Sequence, residues 1–427
     1  MPNMEREKIG VGRLSIGMYV SELDRPWLDS PFLFQGFPIR NEDEIKQLQE
    51  CCQYVYIDRE RSIEWQPDAR FSTQSIEEAP AVRFSTQGVN RAKSLEVVKY
   101  RDRVSFVDAL PEAMALHSDT KSYIDSALED VRLGHSIDIH GARDLANRLA
   151  DNIVKNENAM VWLTQLKKRD EYTSMHSINV CVLSLLFGRF LGLEEEKLGL
   201  LGLGALLHDV GKMRVPKPIL NKPGSLSSEE KVVMNRHPEW GHSILEKQGG
   251  VHPAVLDIAL SHHERYDGSG YPHGLKGKEI SQYAMVVSII DFYDAVTSDR
   301  AYHLGISPHE ALNMMYAEAA RTFPKPLVES FIQCLGIYPI GSLVELDSGE
   351  VGVVMTVNRE HRLKPILSLV LDRNKQWLPQ SKMMNLELMT RSDTTKRIKS
   401  ILESNAFGID VRKLIMQSNM TAPLAMV

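Results

Sequence analysis

The sequence lacks the features that mark secreted, membrane-spanning and metal-knuckle proteins. It has only four cysteines, none in a C-x-x-C pair, so neither a disulfide framework nor a zinc knuckle is indicated. The first ten residues are polar and carry no apolar segment of the signal-peptide type. No apolar run reaches the ~20 residues that a membrane-spanning helix needs. These absences favour a cytoplasmic protein in a reducing compartment, without a membrane span.

The sequence also lacks an excess of charge of one sign. Its 50 basic and 56 acidic residues give a formal net charge of −6. This balance provides no general attraction to nucleic acid polymers or to anionic lipid, so a phosphate-bearing ligand would need a local site. The apolar share of 43% is ordinary for a soluble globular protein, and 427 residues suffice for two or three domains.

The first part of the chain, residues 1–60, is predicted to be a small α+β or β-rich module. Arg13–Val20 and Tyr54–Ile57 are rich in strand-forming residues. Asn41 has the residue type of a helix N-cap, which predicts a short helix over Asp43–Cys51.

The rest of the chain divides into three parts by pattern. Residues 61–105 are dominated by Ser, Thr, Gln, Pro and Arg, which predicts a linker. Residues 106–340 have helical periodicity, which predicts an all-α domain. Residues 341–427 carry a hairpin pattern at Ser342–Val357 and a strand pattern at Ile366–Leu371, which predicts a small β element and a tail. The predicted helices are Val107–Gly134, Ile139–Lys155, Tyr172–Leu191, Glu194–Leu207, Ser227–Gln248, Pro253–His263 and Ser281–Ser298.

Histidines and aspartates are spread over the helical part, mostly where helices end. Imidazole and carboxylate together suit Zn, Fe and Mn rather than Mg or Ca alone. Seven such ligands are too many for a single four-coordinate zinc, but two cations could use them all if one carboxylate bridges. Taken singly, each residue could equally be a solvated helix end or a satisfied core histidine. The set is His176, His208, Asp209, His237, His262, His263 and Asp291.

Two local patterns add to this set. Lys212 lies four residues beyond His208, so the two side chains share a face if the helix continues. Asp291 and Asp294 lie three apart on one face of an otherwise apolar helix. Buried carboxylates need a partner, for which a cation and Arg300 are the two candidates.

Five motifs occur in order and together resemble the signature of the HD-GYP family, over roughly residues 140–340. They are DEYTSMHS at 170–177, HDVGK at 208–212, HPEWG at 237–241, HHERYDGSGYPHGLKG at 262–277 and DFYDAVTSDRAY at 291–302. The resemblance implies an all-helical HD-type domain with a di- or tri-metal centre that hydrolyses cyclic di-GMP. Residues 8–58 resemble a domain of unknown function often found ahead of HD-GYP domains, for which we expect a regulatory or partner-binding role.

The resemblance also implies roles for individual residues. The seven histidines and aspartates become metal ligands, with Asp209 as the bridging carboxylate. Tyr172 stands where three-metal members of the family have a glutamate, so we expect two divalent ions, Fe or Mn, with Zn left open. A hydroxide bridging the two ions would attack phosphorus, and Lys212 would stabilise the phosphate or protonate the leaving 3′ oxygen. The predicted substrate contacts are Arg300, Tyr271, Gly270, Pro272, Asp294 and His303.

Other functions stay open at this point. At His303 the family often has a lysine, and loss of that fixed cation would weaken the hold on a substrate phosphate. The domain could therefore be a cyclic di-GMP receptor with little turnover, or an HD phosphohydrolase for another nucleotide. The product, linear pGpG or GMP, is open too, as is a homodimer.

Overall fold

The computed structural model describes residues 6–25, 30, 32, 36–59, 62, 98–165, 172–298, 305–358, 361, 363–388, 396–403, 406–411 and 414. The chain forms two compact units, Met1–Ala81 and Val82–Val427. No helix in the described ranges combines the length and the hydropathy needed to cross a bilayer. Most of the predicted linker lies outside the described residues.

The N-terminal unit is a four-stranded antiparallel sheet with one helix. Its strands are β1 (Arg6–Gly10), β2 (Tyr19–Leu23), β3 (Phe37–Pro38) and β4 (Tyr54–Asp58), in the order β1-β4-β2-β3. Helix α1 (Glu42–Cys51) begins after Asn41, whose side chain accepts the N–H of Glu44, so the predicted N-cap is confirmed. Buried Val20, Leu48 and Val55 belong to the core of this unit.

The strand predicted over Arg13–Val20 is wrong over most of its length. Val11–Arg13 form a 3-10 turn, and Gly17 has φ of +96°, which a continuing strand cannot accommodate. The strand therefore begins only at Tyr19.

The helical part is built around two apolar helices. They are α5 (Tyr172–Phe190) and α6 (Glu195–Leu207), which pack against each other and both against α3 (Ile139–Lys155). Helices α5 and α6, which were predicted over Tyr172–Leu191 and Glu194–Leu207, are therefore core helices. The other helices are α2 (Phe106–Leu133), α4 (Glu157–Leu163), α7 (Lys217–Leu220), α8 (Ser228–Met234), α9 (His237–Gln248), α10 (Pro253–Ser261), α11 (Gln282–Thr297), α12 (Pro308–Thr322) and α13 (Lys325–Leu335).

The helix predicted over Ser227–Gln248 is in fact two helices, α8 and α9. Ser227 and Glu230 form a capping box at the start of α8. Pro238 sits in the first turn of α9, where its missing N–H costs nothing, and it cannot continue a helix from α8. The break places His237 at the first residue of α9.

The C-terminal part contains a five-stranded antiparallel sheet. Its strands are β5 (Leu343–Leu346), β6 (Val351–Thr356), β7 (Ile366–Leu371), β8 (Trp377–Asn385) and β9 (Ile398–Leu402), in the order β8-β7-β6-β5-β9. The predicted hairpin and third strand are confirmed, whereas β8 and β9 were not predicted. The architecture is the predicted one: a small β-rich module, an all-α part and a C-terminal β element.

Candidate metal centre

Five helices bring the seven predicted ligands to one place. Helix α5 carries His176, the end of α6 carries His208 and Asp209, and α9 begins with His237. The end of α10 carries His262 and His263, and α11 carries Asp291. Most of these side chains are fully buried, and His263, the most open, is only 14% exposed.

Asp209 lies between two groups of histidines. Its Oδ2 is 3.6 Å from His176 Nε2 and 3.4 Å from His208 Nε2. Its Oδ1 is 3.3 Å from His237 Nε2 and 3.7 Å from His262 Nε2. The carboxylate therefore belongs to two potential metal-binding groups. One group contains His176 and His208, and the other contains His237, His262 and His263.

Asp291 lies across the same two groups. Its Oδ1 is 3.0 Å from His176 Nε2, and its Oδ2 is 3.6 Å from His263 Nδ1. Two carboxylates thus span a centre whose other donors are imidazoles, the mixture suited to Fe, Mn or Zn.

Backbone carbonyls orient three of the histidines. The Nδ1 of His208 lies 2.7 Å from Ala205 O, that of His237 lies 2.8 Å from Met234 O, and that of His262 lies 3.1 Å from Ala259 O. A carbonyl can only accept, so each Nδ1 carries the proton and donates. Each Nε2 is left with its lone pair directed at the centre, the tautomer that binds a metal.

His176 is oriented by a carboxylate instead. Its Nδ1 is 2.8 Å from Oδ2 of Asp294, which is fully buried and also accepts from Asn179 Nδ2 at 3.1 Å and Ser298 Oγ at 3.2 Å. Burial alone would lower the pKa of His176, but the carboxylates of Asp291 and Asp294 raise it to about 9. Asp294 lies behind His176, enclosed by protein, and not on a face open to the substrate it was predicted to contact.

The donor set fits a cation. His208 Nε2 and Asp209 Oδ1 are buried and have no hydrogen-bond partner among the described residues. His237 Nε2 lies 3.3 Å from His262 Nε2, and both rings carry their proton on Nδ1, so two lone pairs face each other. Such an arrangement is repulsive unless a positive charge lies between the atoms.

Burial also keeps several of these histidines in their neutral, metal-binding form. It lowers the pKa of His208 to about 3, lowers that of His263 well below its usual value and lowers that of His237. Neutral imidazole is the form that ligates a metal.

The glycine-rich loop after His263 covers one side of the centre. The Tyr271 ring stacks on the His263 ring with centroids 4.7 Å apart. Gly270 has no room for a side chain, because a Cβ there would lie 2.3 Å from the backbone N of Arg265. Through this ring contact Tyr271 borders the centre, and the peptide between Tyr271 and Pro272 is cis.

Glu264 ties this loop together, a role that the sequence reading missed. Its side chain is fully buried, and its two oxygens accept the backbone N–H groups of His273 at 2.8 Å and Leu275 at 3.0 Å. The available signal was an acidic residue between a histidine pair and a glycine-rich loop, where it needs a buried partner.

The comparisons with known proteins identify the family. A domain of unknown function (DUF3391) matches residues 6–142, and an HD domain matches residues 150–324. The cyclic di-GMP phosphodiesterase PA4108 of Pseudomonas aeruginosa is 36% identical over 377 residues, covering 88% of this chain and 87% of that protein. The chain belongs to the HD-GYP family.

Other relatives of this HD-GYP protein match over shorter stretches. The cyclic di-GMP phosphodiesterase response regulator RpfG of Xanthomonas campestris is 38% identical over 169 residues, 39% of this chain and 45% of that protein. The 3′3′-cGAMP-specific phosphodiesterase 1 of Vibrio cholerae is 35% identical over 162 residues, 38% of this chain and 37% of that protein.

The remaining predicted site residues of this HD-GYP protein are placed as follows. Lys212 contacts the Asp209 carboxylate through Nζ, and its side chain is 19% exposed. Burial would raise the pKa of Asp209, but Lys212 and the histidines hold it well below its usual range. Tyr172 is the first residue of α5, four before His176. Arg300 and His303 lie outside the described residues.

Proposed function

We propose that this HD-GYP protein is a metal-dependent phosphodiesterase that hydrolyses cyclic di-GMP. The observation that carries the proposal is the position of Asp209, whose two oxygens face two different groups of histidines. The substrate assignment is supported by the P. aeruginosa cyclic di-GMP phosphodiesterase, which matches 88% of this chain.

We propose that the seven histidines and aspartates hold two divalent cations, Fe or Mn. His176 and His208 would belong to one cation and His237, His262 and His263 to the other, with Asp209 shared. Asp291 spans the same two groups. When bound, the cations supply charge neutralisation on the phosphoryl oxygens and make hydroxide available at neutral pH.

The chain's own residues would bind the phosphate and move protons. The Lys212 ammonium contacts the Asp209 carboxylate, and the Lys212 side chain is partly exposed. It can therefore donate a proton to the leaving 3′ oxygen. Burial raises the pKa of Tyr271, which keeps its phenol protonated and able to donate to a phosphoryl oxygen. Asp294 would act as a positioning residue for His176. Arg300 and His303 stay predicted substrate contacts.

The test is metal content and turnover measured on the same preparations. Protein purified without oxygen and added metal is expected to contain close to two ions per chain and to hydrolyse cyclic di-GMP. His208→Ala and Asp209→Asn should lose metal and at least 100-fold in turnover, since each removes a donor facing the centre. Asp257→Asn, in α10 but in neither candidate metal-binding group, is the matched control. Full retention of metal and turnover in both ligand variants would refute the proposal.

A different cyclic dinucleotide is the second candidate substrate. The V. cholerae 3′3′-cGAMP-specific phosphodiesterase 1 is 35% identical over 162 residues, close to the 38% of RpfG. Hydrolysis of cyclic di-GMP and 3′3′-cGAMP should therefore be compared at equal concentration, with products separated to distinguish pGpG from GMP. Faster turnover of 3′3′-cGAMP would reassign the substrate and leave the metal centre unaffected.

We also propose a division of the chain into 1–60, 61–105, 106–340 and 341–427. It is supported by the end of β4 at Asp58, the start of α2 at Phe106 and the gap between α13 and β5. The DUF3391 match extends further, to residue 142, and so includes α2. A regulatory role for the N-terminal module would be tested by comparing turnover of the full chain with and without candidate binding proteins.

A further inference from the structure

Arg236 and Trp240, which flank the predicted ligand His237 in the sequence, form a cation–π pair. The guanidinium carbon of Arg236 lies 5.0 Å from the centroid of the Trp240 indole. Arg236 directly precedes His237, and Trp240 follows His237 by one turn of α9. Residues three apart on a helix have Cβ atoms about 5–6 Å from each other. The Cβ of Trp240 therefore lies close to that of His237, a proposed metal ligand.

The pair is open to a ligand. Arg236 is exposed and Trp240 is half-buried. Among the described residues, the indole is the one side-chain partner that Arg236 has, and no carboxylate lies within ion-pair distance of it. Glu239 is on the same helix but forms no ion pair with Arg236 in the described part of the chain. The guanidinium therefore retains its donors and its charge.

A second aromatic ring borders the same histidine. The Tyr271 centroid lies 6.4 Å from that of His237. His237 thus has Tyr271 on one side and Trp240 further along its own helix, with Arg236 before it. Aromatic faces and a cation around a phosphodiester-cleaving centre are suited to a nucleobase attached to that phosphate.

The chemistry of the pair favours guanine. An indole stacks on any base, because every base has a π-face. A guanidinium donates two parallel hydrogen bonds to O6 and N7 of guanine, whereas adenine offers an amino donor in place of O6. We propose that Trp240 is a stacking platform for one base of the substrate and that Arg236 selects guanine over adenine at this position. The inference rests on the proposed function, whose substrate it makes specific.

The test compares substrates with and without bases. Trp240→Ala should raise KM for cyclic di-GMP by about 5- to 150-fold, the range for loss of one base–aromatic stack. Turnover of bis(2-hydroxyethyl) phosphate, a diester with neither a base nor an aromatic ring, should stay within about twofold. Trp240→Phe should recover most of the loss. Trp377→Ala removes a tryptophan that is 54% exposed in β8 and is the matched control.

Arg236→Ala tests the selection of guanine. The variant should lose about 5- to 150-fold in its preference for cyclic di-GMP over cyclic di-AMP, the worth of one bidentate contact with guanine. Equal losses on both dinucleotides would overturn the role of Arg236. Equal losses of Trp240→Ala on cyclic di-GMP and the base-free diester, or no loss, would overturn the platform.

Failure of the proposed function gives a different result. Wild-type protein would then cleave the base-free diester and leave cyclic di-GMP intact. The base site is still testable in that case by quenching of tryptophan fluorescence with GMP, with Trp240→Phe showing which part of the signal comes from Trp240. Quenching that disappears in the variant would support the site, and its absence in the wild type would overturn it.

Discussion

Replacing Asp294 by asparagine separates the orientation of a metal ligand from the ligand itself. Asp294 does not face the centre, but its Oδ2 lies 2.8 Å from the Nδ1 of His176. The substitution preserves volume and removes the negative charge. It also introduces an NH₂ group into a pocket where His176, Asn179 and Ser298 all approach the carboxylate. If the new amide keeps its oxygen towards His176, its NH₂ group faces Asn179 Nδ2, so two donors meet unless the Asn179 amide flips.

The magnitude follows from the role of such outer partners. Loss of a group that orients a ligating histidine typically costs 10- to 100-fold in metal affinity. This corresponds to about 1.4–2.7 kcal/mol. If two cations bind as proposed, the loss should fall on the one assigned to His176 and His208, which should become easier to remove.

The assay is a competition titration with a chromogenic chelator, followed by metal analysis. Wild type should release both ions over a narrow range of chelator, whereas Asp294→Asn should release one ion at a 10- to 100-fold lower chelator concentration. Asp257→Asn, whose carboxylate accepts a bond from Ser261, is the control. Unchanged release by a folded Asp294→Asn variant would refute the reasoning, since the carboxylate would then not orient His176.

Three further predictions concern stability and the loop. The Arg189 side chain is 4% exposed and pairs with Glu157 at 2.6 Å. Arg189→Met should therefore lower the free energy of unfolding in urea by about 3–5 kcal/mol, because it leaves a buried carboxylate without its partner. Lys121→Ala, which removes the more exposed 2.7 Å pair with Asp125, should lower it by less than about 0.5 kcal/mol. Glu264→Gln should cost about 1.5–3 kcal/mol and lower turnover without loss of metal; normal turnover would contradict the loop role. Burial lowers the pKa of His117 from 6.5 to about 4. The unfolded chain then binds the extra proton, so stability falls between pH 6.5 and 4 by up to about 3 kcal/mol, and His117→Leu should reduce that slope in chelator-treated protein.

The clustering of the predicted ligands could be predicted from the sequence because metal chemistry restricts residue types. Imidazoles and carboxylates close to helix ends have few other partners, and the chain repeats that pattern at His208, His237 and His262. Asp294 was predicted to contact the substrate, but it contacts His176. The position of a residue along a helix predicts which face of the helix it lies on, but not which other helix packs against that face. The sequence places Asp294 three residues from Asp291, and only the packing of α11 against α5 turns it towards His176.

Local backbone geometry limited the prediction of the fold. Helix α3 was predicted to the residue, because a long apolar stripe fixes both of its ends. The strand over Arg13–Val20 failed because the composition does not reveal the positive φ of Gly17. Strand β8 was missed because Trp377–Asn385 is mostly exposed and so lacks the apolar alternation that marks a half-buried strand.

The places where helices end also explain how the imidazoles are oriented. The last carbonyls of a helix lack partners within it, and those of α6, α8 and α10 accept the Nδ1–H groups of His208, His237 and His262. One contact therefore satisfies a carbonyl and directs a lone pair at the centre. His176 lies inside α5, where the carbonyls are already bonded along the helix, so its Nδ1 needs an acceptor from another element. Asp294 of α11 is that acceptor, which is why a buried carboxylate is required behind His176 and not behind His208, His237 or His262.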